Sequence, residues 1–124
     1  MCNRSEEKLT KAVFPILDEG EYSKTRLSWF FGGDVPMAED IDLIINATSL
    51  GLSPNQPSPI PSEILRPYHL VYDMTYGCEN ALSKACKKVG AVYTDGLSML
   101  RHQGAEAFKI WFPGTDPLPL MGLQ

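Results

Sequence analysis

Three groups of residues in this 124-residue chain are placed to do chemistry. The first is a pair of cations, Arg4 and Lys8 of "NRSEEK", beside the start of an amphipathic run that reads as a helix. The free N–H groups of a helix N-terminus already favour an anion, and two cations beside them reinforce that preference. The second group is a set of three apolar runs that each end in polar residues: "LIIN-ATS", "LVYD-MTY" and "AVYT-DGL". In open parallel sheets ligands gather beyond the carboxyl ends of the strands, so three such ends point towards one shared site. The third is a single residue, Gln103, in "DGLSMLRHQGAEAFKIW". At ~100° per residue, Leu97, Leu100, Gly104, Ala107, Phe108 and Trp111 share one broad helix face, flanked by Met99 and Ile110. His102, Glu106 and Lys109 form the opposite, polar face. Gln103 falls between the flank and Ala107 and is expected to point inward, where a buried amide needs backbone, water or a ligand as its partner.

Each group also has a plainer reading. A capped surface helix carries solvated charges like these, strands commonly end in Asn, Asp or Gly turns, and backbone can satisfy a core amide. His102 lies on the polar face and is read as solvated, as is His69. Cys78 and Cys86 read as small hydrophobes, with nothing nearby to lower a thiol pKa. "FGGD" at Phe31 to Asp34 reads as an ordinary turn, because no apolar helix follows it.

The elements that must carry these residues alternate along the chain. Leu9, Ala12, Val13, Ile16 and Leu17 recur at helical spacing over Glu6 to Leu17, with Ser5 as N-cap and Pro15 loosening the last turn. "RLSWFF" (Arg26 to Phe31), "IDLIINATS", "HLVYDM" and "AVYTD" are the strand candidates. "SPNQPSPIP" has four prolines in nine residues and reads as an ordered or semi-rigid loop. "ENALSKACKKVG" is a helix ended by Gly90. The tail "FPGTDPLPLMGLQ" is expected to wrap the surface. Short apolar strands alternating with amphipathic helices indicate an α/β layered fold with a parallel sheet. No G-x-G-x-x-G occurs, and only a few residues precede the first helix, so a doubly wound dinucleotide domain would be incomplete here.

Bulk composition sets the class. Hydrophobic residues are 44% and charged residues 21% of the chain, a globular composition. A chain of this length buries roughly two-thirds of its unfolded surface. The net charge of −4 argues against nucleic acid or an anionic membrane as partner. Three cysteines without C-x-x-C spacing make a disulfide framework or zinc site unexpected, and no metal is expected. The polar opening "MCNRSEEKLTK" does not resemble a signal peptide, and no apolar run reaches membrane length. A cytoplasmic protein is the expectation.

The ordered set "NRSEEK", "LIINATSLGL", "VYDMTYG" and "DGLSMLRHQGAEAFKIW" closely resembles the cofactor-binding half of shikimate dehydrogenases, from Asn3 to about Trp111. The resemblance implies a Rossmann-like parallel sheet with flanking helices, lacking the first strand, Gly-rich turn and first helix. All of residues 1–124 would then be a partial NADP-binding domain, with the N-terminal substrate domain absent. Asn3, Arg4, Ser5 and Lys8 match the family's Asn-Arg-Thr-x-x-Arg/Lys loop, which holds the adenosine ribose and its 2′-phosphate. Ser5 replaces the threonine and keeps its hydroxyl. An arginine here suits the 2′-phosphate of NADP, where an acidic residue would select NAD. Thr48 matches a position lining the cofactor groove, and Met74 and Gly96 match contacts to the nicotinamide end. Tyr76 and Gln103 match substrate-binding positions, which gives the inward amide a candidate partner. The family's catalytic lysine–aspartate pair has no match, and Lys84, Lys87 and Lys88 lie on a helix outside the family's site.

Two functions follow from the resemblance. One is an NADP-dependent oxidoreductase interconverting 3-dehydroshikimate and shikimate in aromatic amino acid biosynthesis, with quinate as the alternative substrate. In that case the chain supplies the cofactor side and needs a missing domain or partner chain for proton handling. The other is a non-catalytic fragment or split-gene subunit.

Overall fold

Branched and aromatic side chains crowd into four-residue runs that form strands, while alanine- and lysine-rich segments between them form helices. A computed structural model describes residues 2, 3, 7, 8, 10, 11, 30, 31 and 41–122, with the backbone alone at 2, 3, 30 and 31. The chain divides into two compact units, Met1–Asp40 and Ile41–Gln124.

In the first unit, β1 (Cys2–Asn3) pairs in parallel with β2 (Phe30–Phe31). The strand expected in Arg26 to Phe31 is thus present at its end. Its partner at Cys2–Asn3 was not expected, because two residues carry no alternation to detect. Glu7, Lys8, Thr10 and Lys11 are helical, as the spacing predicts, and Lys11 pairs with Glu7 at 2.7 Å on the exposed surface. The expected cap Ser5 and the expected kink at Pro15 lie outside the described residues.

The second unit contains the three strands read from sequence. Strands β3 (Leu43–Asn46), β4 (Leu70–Asp73) and β5 (Val92–Asp95) form a parallel sheet in that spatial order. Their register is in step: Asn46 lies beside Asp73, and Asp73 beside Asp95, so the three carboxyl ends form one edge. Helix α1 (Ala81–Val89) connects β4 to β5, and α2 (Leu97–Trp111) follows β5. The arrangement is a Rossmann-like open sheet with flanking helices. Among the described residues no helix is long and apolar enough to cross a membrane.

One face of the sheet makes the core. Leu65, Val71, Leu82 and Cys86 are buried, with Ile44, Ile60, Ala85, Val89, Ala91 and Tyr93 packed around them. Strand residues of the other parity, Leu43, Ile45, Leu70 and Val92, are each more than half exposed. The apolar run in "HLVYDM" reads as a buried strand, but the structure buries only one of its faces. Val71 and Asp73 are buried and Leu70 is exposed, since successive side chains leave a strand on opposite faces.

Local chemistry bounds α1, at Gly90 where the sequence suggested and at Asn80 where it did not. Asn80 caps α1 in a reciprocal box: its Oδ1 accepts from Ser83 N at 2.9 Å while Ser83 Oγ accepts from Asn80 N at 3.1 Å. Gly90 ends α1 in the left-handed conformation, with φ of 82°. The proline-rich loop is ordered by Gln56, whose Oε1 accepts from Gly51 N at 3.0 Å and Ser53 N at 3.1 Å. The tail lies along α2, with Met121 against the open side of Gly104.

His69 corrects an expectation. It is fully buried, and its Nδ1 accepts from Arg66 N at 3.1 Å. The turn at Arg66–His69 folds the ring back onto the chain just ahead of β4, so a residue read as solvated holds a strand entrance. His102 is exposed, as expected, with Nδ1 2.8 Å from Ser98 O.

Candidate functional site

The carboxyl edge of the sheet is built around a buried carboxylate that no sequence motif singled out. Asp73, at the end of the central strand, has no exposed surface. Its Oδ1 accepts from Asn46 Nδ2 at 2.9 Å, Thr75 N at 2.9 Å and Thr75 Oγ1 at 2.8 Å. Its Oδ2 accepts from Asn80 Nδ2 at 2.8 Å and from Tyr93 OH at 3.1 Å. Burial pushes this carboxyl up, but the hydrogen bonds from Asn80, Thr75 and Asn46 outweigh it and hold it below the ordinary value of 3.8. The group is therefore an anion solvated by neutral protein donors. Burial, the Asp73 charge and the bond donated to Asp73 drive the Tyr93 phenol well above its usual range. Burial and the same charge raise the Cys86 thiol, so it stays protonated and behaves as the small hydrophobe expected of it.

The loops beyond the edge hang from this network. Asn46 Nδ2 donates to Leu50 O at 2.9 Å, and Asn46 Oδ1 accepts from Thr48 N at 3.0 Å and Thr48 Oγ1 at 2.7 Å. Thr48 Oγ1 in turn accepts from Leu50 N at 3.1 Å. The Thr48 side chain is exposed, but its hydroxyl proton is already engaged, so a ligand would meet its methyl group and one lone pair. Gly51 turns the loop at φ of 110°, and a Cβ there would lie 2.6 Å from Asn80 Nδ2. The position requires glycine for both space and conformation.

Met74 and Gly96 meet directly. Met74 N donates to Asn46 O at 3.0 Å, and Gly96 N donates to Thr75 O at 3.0 Å. A Cβ on Gly96 would stand 2.4 Å from Met74 O, so only glycine lets the start of α2 pass under the β4 loop. Gly96 is buried and its carbonyl accepts from Leu100 N, whereas Met74 and Tyr76 are about two-fifths exposed on the same loop. Asp95 Oδ1 accepts from Leu97 N at 3.1 Å, turning the chain from β5 into α2. Thr48, Met74, Tyr76 and Gly96 thus gather at one rim. A cavity of about 560 Å³ opens beside it, lined in part by Gly77, Cys78, Ser83, Tyr93 and Asp95.

Known proteins are similar in sequence and fold. A shikimate dehydrogenase (NADP(+)) of Methanocaldococcus jannaschii is 42% identical over 125 residues, covering 94% of this chain and 42% of that protein. One from Desulforamulus reducens is 33% identical over 124 residues, covering 98% of this chain and 43% of its own length. A crystal structure of a shikimate dehydrogenase in complex with NADP+ superposes with a TM-score of 0.78 and 38% identity, over 93% of this chain and 40% of that one. Over nearly its whole length the chain is similar to part of a shikimate dehydrogenase. No family model matches the chain. It spans about two-fifths of the length of the relatives it matches.

Against the shikimate dehydrogenase resemblance, the expected site residues divide into three sets. Thr48, Met74, Tyr76 and Gly96 share the sheet's carboxyl rim. Asn3 lies at the end of β1 and Lys8 is exposed on a helix, both in the first unit, while Arg4 and Ser5 lie outside the described residues. Gln103 is the correction. It is exposed, not inward-facing. The fully buried residue of α2 is Ala105, and Gln103, two residues away, points ~160° from it around the helix. The apolar face had been centred too far towards Ala107, because Trp111 and Ile110, 72% and 78% exposed, were counted as core. The amide needs no buried partner and stands open to solvent or a ligand.

Sequence reasoning missed Asp73, Asn46 and Asn80. The usable signal was a carboxylate closing an apolar strand, "LVYD", with Thr75 two residues on and Asn80 at a helix cap.

Proposed function

We propose that this chain is the NADP-binding part of an oxidoreductase that reversibly reduces 3-dehydroshikimate to shikimate. The observation that carries the reading is the in-register carboxyl edge of β3, β4 and β5, with Thr48, Met74, Tyr76 and Gly96 gathered on it. Open parallel sheets bind nucleotides at that edge. The tight passage of Gly96 under Met74 O leaves Met74 outermost, as a surface for a flat ring. Similarity to shikimate dehydrogenases supports the substrate class.

In this reading Asn3, Arg4, Ser5 and Lys8 hold the adenosine ribose and its 2′-phosphate. Arginine suits phosphate through its planar fork of donors. Thr48 lines the groove with its methyl group, and Gly96 contributes by the position it gives Met74. The bound nucleotide supplies or accepts a hydride, and the chain's own work is to orient that ring and exclude water from it. Tyr76 and Gln103, both solvent-accessible, would hydrogen-bond substrate hydroxyls. Asp73 is not a proton donor here, since both its oxygens are engaged and it stays ionised. The family's lysine–aspartate pair has no counterpart in these residues, so proton transfer falls to a substrate domain or partner chain.

The test is an absorbance assay with NADP and shikimate, paired with titration calorimetry. The purified chain is expected to bind NADP in preference to NAD and to show no turnover. Arg4→Ala is expected to reduce that preference by about tenfold, the scale of one lost charge-assisted bond. Turnover by the chain alone would contradict the assignment of proton transfer elsewhere, and equal NADP and NAD affinities would contradict the cofactor assignment.

A further inference from the structure

The rim is held from beneath by a group that the proposed function does not use. We propose that Asp73 is a positioning residue, whose buried carboxylate fixes the loops carrying Thr48 and Met74 in the arrangement that receives the cofactor. The proposal rests on the cofactor reading above.

Asp73 sits on the central strand, where one side chain can reach the connections on both sides. Through Oδ1 it holds the β3 loop: Asn46 gives one amide hydrogen to Asp73 and the other to Leu50 O, while its carbonyl receives both donors of Thr48. Two hydrogen bonds therefore separate Asp73 from Thr48. The same Oδ1 receives the backbone and hydroxyl of Thr75, pinning the turn whose neighbours Met74 and Tyr76 face outward. Thr75 O then receives Gly96 N, which ties in the start of α2. Through Oδ2, Asp73 holds Asn80, which caps α1 and reaches Gly51 O at 3.4 Å. One carboxylate thus joins all three connections at the rim.

The chemistry favours a carboxylate over any isostere. Five donor contacts converge on the group, and a carboxylate offers two oxygens with about four acceptor sites and no hydrogen. Asparagine at this position would aim an NH2 at one set of those donors. An apolar residue like Val71, on the same face of the same strand, would pack the core without burying a charge. A buried ion of this kind is weak evidence for stability and fits a role in specifying local geometry.

The proposal is tested with Asp73→Asn and Asn46→Ala against Leu65→Ala, which opens the core away from the rim. Two readouts are taken on folded chain: amide hydrogen exchange by NMR, and NADP affinity by calorimetry. Asp73→Asn is expected to speed exchange at Thr48, Leu50 and Thr75 selectively and to weaken NADP about tenfold, the scale of one lost bond to a charged group. Asn46→Ala is expected to do the same at Thr48 and Leu50 while Thr75 stays protected. Leu65→Ala is expected to lower Tm yet leave the exchange pattern at the rim unchanged and NADP affinity within about twofold, as distant sites act independently. Equal NADP loss in Leu65→Ala at matched Tm would reduce Asp73 to a stability group and overturn the proposal. So would unchanged rim protection and affinity in Asp73→Asn. Should that variant not fold, unchanged affinity in Asn46→Ala overturns it equally. Absence of NADP binding by the unsubstituted chain would instead refute the cofactor reading, and selective loss of rim protection would then decide the positioning role alone.

Discussion

Asp73 carries a pH signature of its own. Its folded pKa lies below 3.8, so the native state holds the ionised form more strongly than the unfolded chain does. Its contribution is complete above the unfolded value and is lost as pH falls through the folded one. Thermal melts are therefore expected to show Tm nearly level from about pH 7 to pH 5 and then falling towards pH 3. In Asp73→Asn that acid-limb loss should shrink, from a baseline about 3 kcal/mol less stable at neutral pH. An acid limb as steep as in the unsubstituted chain would assign the titration to other carboxylates. The sequence showed Asp73 only as a polar strand end, because hydrogen bonding depends on which strands lie beside it. Asn46 and Asp73 are 27 residues apart, and only the strand order brings them together. His69 was misread for a related reason: a turn, not a periodic pattern, decides where its ring goes.

The elements themselves were largely legible. Strands ending at Asn46, Asp73 and Asp95 and a helix ended by Gly90 follow from short apolar runs that close in polar residues and from a glycine stop. What the pattern could not supply was the rotation of α2, since a wide apolar stripe leaves its centre undetermined when the partner surface is unknown. The observed rotation predicts opposite outcomes at two positions. Gln103→Ala is expected to change stability by less than about 0.5 kcal/mol, because the amide is exposed. Gly96→Ala is expected to cost about 1–3 kcal/mol, because its Cβ would lie 2.4 Å from Met74 O and backbone must move. Paired denaturant melts check both. A large loss at Gln103 would return that residue to the core, and a neutral Gly96→Ala would mean that the β4–α2 junction yields easily.

At the scale of the molecule, a parallel sheet is ordinarily covered on both faces. Here the face away from α1 presents Leu43, Ile45, Leu70 and Val92 at 54%, 57%, 52% and 60% exposure. These residues lie in adjacent rows, since Leu43 is beside Leu70 and Leu70 beside Val92, so they form a continuous apolar patch and not scattered exposures. The apolar runs read from sequence suit a sheet buried on both sides, and the covering surface for this face cannot be read from runs that describe only the strands. A patch of this kind binds apolar probes and promotes association. The isolated chain is expected to enhance the fluorescence of an anilinonaphthalene dye. The double substitution Ile45→Lys and Leu70→Lys should abolish most of that signal with little change in Tm, because neither side chain belongs to the buried core on the α1 face. A lysine pair that unfolds the chain would show instead that this face is packed in solution, and the exposed rows would then be part of the core.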